Sequence, residues 1–144
     1  MMNNVTEADV KKMVEEVKKE LKNFIGVYLD CFATNIIGID EVYVEAKEIF
    51  FEQKVGVLQE KIDVLEKQFK KVEARKKLVE KSMFATNRLL KVTTDARECS
   101  DIYDKLILRS QQKDFELEEM RAICRKQHLL EVELAVVRYV KVIV

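Results

Sequence analysis

An all-α fold of long amphipathic helices is what this sequence predicts, and three features carry that expectation. The 144 residues contain no proline, and the glycines are Gly26, Gly38 and Gly56 alone. These two residues punctuate turns, so a chain this poor in both cannot supply the many turns of a sheet protein. Charged residues make up 36% and hydrophobic residues 48%, a combination that suits helices with one face in water and one against a partner.

The first helix is predicted to begin at Thr6. Thr6-Glu7-Ala8-Asp9 has the form in which a hydroxyl and an acid satisfy free backbone N–H groups. Apolar residues then recur at helical spacing through Val10, Val14, Val17, Leu21, Phe24, Ile25, Tyr28, Leu29, Phe32 and Ile36. The helix should reach about Asn35 or Ile37. Gly38 tolerates the left-handed backbone that closes a helix, and Asp40 can cap a second helix starting at Glu41. A connection this short favours antiparallel neighbours. Reflection across it sets Leu29 opposite Ile49 and Leu21 opposite Val57. Residues 1–52 are therefore predicted to form a helical hairpin head packed through Phe24, Tyr28, Phe32 and Phe50.

Residues 53–92 carry the coiled-coil signal. Val55, Leu58, Ile62, Leu65, Phe69 and Val72 keep heptad spacing, which continues past Lys76 to Val79 and Met83. Gly56 beside this seam marks either close approach of another helix or a tolerated surface glycine. Over residues 93–101 the seam fades, with Thr93, Arg97 and Ser100 at positions that want apolar side chains. The pattern resumes in another phase, with Ile102, Leu106, Leu108, Phe115, Leu117, Met120, Ile123, Leu130, Leu134 and Val137. Two arrangements fit, a continuous helix with a register slip, or a break with fold-back in which Ser100 caps a new helix. The lack of glycine and proline after Gly56 favours continuity, which would give a helix on the order of 150 Å at 1.5 Å per residue.

Residues 102–144 become apolar on all sides toward Val140–Val144, where a short strand is a minor alternative to helix. The first helix can cover the second only to about residue 72, so a continuous rod leaves the later seam without an intramolecular partner. Association with other helices completes such a core. The predicted partner-binding seam is Val55, Leu58, Ile62, Leu65, Phe69, Val72, Val79, Met83, Ile123, Leu130, Leu134 and Val137.

Catalytic and cofactor signals are missing. The one histidine, His128, lies in Arg125-Lys126-Gln127-His128 and has only Glu131 at a loosely suitable spacing for a metal. Cys31, Cys99 and Cys124 form no CxxC pair and are expected to be reduced thiols in or beside packing faces. The sequence shows no Gly-rich phosphate loop and no nucleophile elbow. No cofactor, metal or small-molecule substrate is expected, and the chain is read as non-enzymatic. The first twenty residues are too dense in Lys and Glu for a signal peptide, so an intracellular site, cytoplasmic or nuclear, is expected.

Lysine plus arginine and aspartate plus glutamate balance at 26 each, which argues against a protein whose main task is neutralising phosphates. One basic cluster stands out. Lys67, Lys70, Lys71, Arg75, Lys77 and Lys81 share the helix face opposite Phe69 and Val72. A solvated coiled-coil face is the expected reading. Contact of Lys70, Lys71, Arg75 and Lys77 with nucleic acid, a microtubule or lipid headgroups is the alternative. The acids Asp114, Glu116, Glu118 and Glu119 are candidates to pair with that face in a folded-back chain or with a partner.

In general plan, a hairpin head followed by a coiled-coil rod resembles the small subunits of kinetochore, centrosome and vesicle-tether complexes. That resemblance implies a scaffold subunit in a hetero-oligomer of coiled-coil chains. A homodimeric module on a membrane or cytoskeletal surface and a coiled-coil holdase chaperone are the alternatives.

Overall fold

The computed structural model describes residues 5–32 and 38–144, without the side chains of Phe32 and Ile39. The described chain is all helical, with α1 over Glu7–Phe32, α2 over Ile39–Val92 and α3 over Ala96–Ile143. It divides into two compact units. One comprises Met1–Val64 with Gln127–Val144, and the other Leu65–Lys126. Helices α2 and α3 contribute to both.

Helix α1 starts as its sequence dictates. The Thr6 backbone N–H donates to Asp9 Oδ2 at 3.0 Å, and the Asp9 N–H donates to Thr6 Oγ1 at 3.2 Å, a reciprocal cap. These hydrogen bonds hold the Asp9 carboxyl below its ordinary pKa, the backbone bond first and the hydroxyl bond second. The predicted end of α1 at Asn35 or Ile37 lies outside the described residues. Helix α2 begins at Ile39, two residues earlier than expected. The Gly38 carbonyl accepts from the Glu41 and Val42 N–H groups at 3.1 and 3.2 Å, so Asp40 sits inside the first turn.

The first unit is a three-helix assembly. Val17, Leu21 and Ile25 of α1 are buried with Ala46, Phe50, Phe51, Leu58 and Ile62 of α2, and Leu134, Val136, Val137 and Val140 of α3 complete the same cluster. Phe24 stacks near Tyr28, with ring centroids 6.0 Å apart, and meets Phe50 at 5.6 Å. Phe51, which the sequence reading did not single out, is nearly inaccessible and lies edge-on to Phe50 at 5.2 Å. Val57 points to solvent. Reflection across the turn was out by about one helical turn, since Glu20 pairs with Lys54 and Phe24 meets Phe50, whereas the reflection set Leu21 opposite Val57.

Continuity of the second helix does not hold. It ends at Val92, and α3 begins at Ala96. Polar capping replaces glycine and proline there. Thr93 Oγ1 donates back to the Leu89 carbonyl at 2.7 Å. Asp95 Oδ1 accepts from the Arg97 and Glu98 N–H groups at 2.8 and 3.2 Å, so Asp95 caps α3 and Ser100 does not. Cys99 Sγ donates to the Thr93 carbonyl at 3.3 Å, tying the turn to the new helix. Helix α3 then persists to Ile143, which removes the strand alternative for most of the apolar end.

Candidate docking surfaces

In the second unit α2 and α3 form a hairpin. Val72 and Val79 of α2 are buried, as is Ile102 of α3, and Leu65, Phe69, Met83 and Ile123 are half-buried. Glu116 of α3 is also buried, and Arg75 of α2 answers it, Nε to Oε2 at 3.4 Å. Arg75 Nη2 further reaches Glu119 Oε2 at 2.8 Å. A buried carboxylate needs such a partner, because desolvating an unpaired charge is costly. Fold-back pairing of the basic cluster with the acids of α3 is thus seen at Arg75, with Glu116 and Glu119.

This hairpin changes the meaning of the predicted partner seam. Leu58, Ile62, Leu134 and Val137 are buried in the first unit, and Val72 and Val79 in the second. Val55 and Leu130 pack against the first unit's core. These positions are internal core and not a surface left for another chain. The reason is the break at residues 93–95, which returns α3 to α2 and supplies the cover that a continuous rod would have lacked. The apolar end of α3 is covered in the same way, by α1 and α2. Exposure persists there at Tyr139, Val142, Ile143 and Val144.

The apolar surface of the second unit lies elsewhere. On α3, Tyr103, Ile107, Leu108 and Phe115 are exposed. Leu108 and Phe115 stand one heptad apart on the side of the helix away from Ile102, Glu116 and Met120. On α2, Leu78, Phe84, Leu89 and Val92 are exposed. Sequence reading placed Leu108 and Phe115 in the apolar pattern of α3 without setting them apart from its packed side. It missed the α2 set because it followed the strongest heptad, which proved to be core. The signal available was the second spacing, Leu78 to Leu89 and Leu108 to Phe115.

Charge is divided between the units. The first holds 15 acidic and 10 basic residues, net −5, and the second holds 11 acidic and 16 basic, net +5. Lys70, Lys71, Arg75 and Lys77 are all exposed on α2. Lys77 pairs with Glu73 one turn away at 3.2 Å. Gly56 is exposed with open space around its α-carbon, so it is a surface glycine and not a point of close approach.

Among the described residues no group of three His, Cys, Asp or Glu side chains converges on a metal-sized site. Cys31 and Cys124 are exposed, and Cys99 is half-buried. Among the described residues no helix is long and apolar enough to cross a membrane. No family model matches the chain, and no curated protein or solved structure matches it significantly.

Proposed function

We propose that this chain is a non-enzymatic scaffold subunit of a hetero-oligomer of helical chains, and that it receives a partner helix on the outer face of α3 in its second unit. The observation that supports this reading is the heptad pair Leu108 and Phe115, exposed by 64% and 63% on one line of α3. Large apolar side chains one heptad apart on the water side of a helix whose other side is already packed mark a surface for association. Helix-in-groove or coiled-coil docking reads side chains at this spacing.

Native purification of the tagged full chain tests the proposal, with Leu108→Glu plus Phe115→Glu as the variant. Both side chains are exposed, so the variant should keep its helicity and melting temperature. The wild type should co-elute with a helical chain at fixed stoichiometry, and the variant should lose it. Identical associates for the two proteins, or none for either, would remove the reading.

A further inference from the structure

The outer face of α2 in the second unit combines two features that no core role uses. The first is charge of one sign. From Lys67 to Val92 the exposed charged residues are all cations: Lys67, Lys70, Lys71, Lys77, Lys81, Arg88 and Lys91, together with Arg75, which is committed to Glu116 and Glu119 of α3. The acids within that span, Glu73 and Glu80, are half-buried and paired with Lys77 and Lys76. The second feature is apolar. Leu78, Leu89 and Val92 are 64%, 53% and 75% exposed. With Ala74 and Ala85 they fall within one narrow sector at 100° per residue. Lys70, Lys77, Lys81 and Arg88 flank that sector on one side, and Lys71 and Arg75 on the other.

We infer that this face docks on an anionic lipid surface, with the Leu78–Val92 stripe turned to the bilayer interface and the lysines among the headgroups. A cluster of cations on an amphipathic helix is attracted by acidic lipids. Apolar residues within the cluster then gain by entering the headgroup and acyl boundary. Long lysine stems lie along apolar surface while their ammonium groups stay with the phosphates.

Two other occupants fit less of the face. A nucleic acid would use the cations but would leave Leu78, Leu89 and Val92 against a polar backbone. A partner helix would have to match each flanking lysine with an acid in one fixed register, and between Leu78 and Leu89 it would meet only Ala85. A fluid surface imposes no such register. The inference is independent of the helix-docking role of α3, since it uses the other helix of the hairpin.

Co-sedimentation of the full chain with vesicles tests it. The chain should bind vesicles containing phosphatidylserine and not vesicles of phosphatidylcholine alone, and binding should weaken steeply as salt rises. Each cation near an acidic surface raises partition about five-fold. Lys67→Glu, Lys70→Glu, Lys71→Glu and Lys81→Glu together should therefore lower binding at least several hundred-fold. Leu78→Ser, Leu89→Ser and Val92→Ser together should lower vesicle binding about ten-fold or more while leaving any binding to duplex DNA unchanged. Circular dichroism of both variants should match the wild type. Absence of binding to the acidic vesicles, equal binding to neutral ones, or a serine variant as good as wild type would each overturn the inference. The last result would assign the face to polyanions in general.

Discussion

Arg75 on α2 and Glu116 on α3 form an ion pair across the hairpin of the second unit, with Nε 3.4 Å from a carboxylate whose side chain is only 7% exposed. The guanidinium therefore belongs to the fold, unlike its neighbours in the basic cluster. Arg75→Met should cost about 1–2 kcal/mol, less than loss of a fully buried pair because Arg75 itself is half exposed. Lys71→Met should change stability by no more than about 0.5 kcal/mol. Urea denaturation of the two variants makes the comparison, and equal midpoints would contradict the pairing.

Asp95 is predicted to set the start of α3. Its carboxylate accepts from two free N–H groups, and removing such a cap costs about 1 kcal/mol. Asp95→Ala should lower stability by that amount and speed amide exchange at Arg97 and Glu98. Ser100→Ala should do neither.

Gly56 lies within α2, exposed, with nothing near a Cβ position. Gly56→Ala should stabilise the protein by about 0.5–1 kcal/mol, because alanine has less backbone freedom to lose. A destabilised variant would mean that another chain approaches the helix there.

Val137 distinguishes a core position from a docking position. It is 1% exposed in the first unit, so Val137→Asp should unfold that unit in the purified chain, at a cost of roughly 3 kcal/mol or more for a buried unpaired carboxylate. A variant with an unchanged melt would return this residue to the surface.

The Asp9 carboxyl should titrate below the ordinary carboxylate range, because the Thr6 N–H and hydroxyl favour its charged form. Its folded pKa is depressed, so its contribution to stability is complete above the unfolded value and is lost as pH falls through the folded one. Carbon-detected NMR titration should show the low midpoint in the wild type. In Thr6→Ala, which keeps the backbone N–H and loses the hydroxyl, the midpoint should rise part of the way toward normal.

The sequence revealed the helical class and the α1 cap, because both depend on local chemistry. Scarce glycine and proline exclude most other folds, and a threonine three residues before an acid is a self-contained device. The heptad from Val55 to Val79 was also legible as a packing stripe. Its partner was not, since a seam looks the same whether the helix that fills it comes from the same chain or another. That choice turned on residues 93–95. Asp95-Ala96-Arg97-Glu98 has the spacing of a helix start, and weighting it above the missing glycine would have brought α3 back onto α2. The exposed Leu78–Val92 stripe was hidden by the lysines around it.

The first unit's core joins Val17–Ile62 to Leu134–Val140, while all residues of the second unit lie between them in the chain. During synthesis the second unit can therefore close while the first still lacks one of its three walls. Throughout that interval Phe50, Phe51 and Leu58 stand open on the ribosome-bound chain. Such transient apolar surface is where nascent proteins stick to one another. The order of translation, more than the stability of the finished fold, then sets when this protein is most in need of a chaperone.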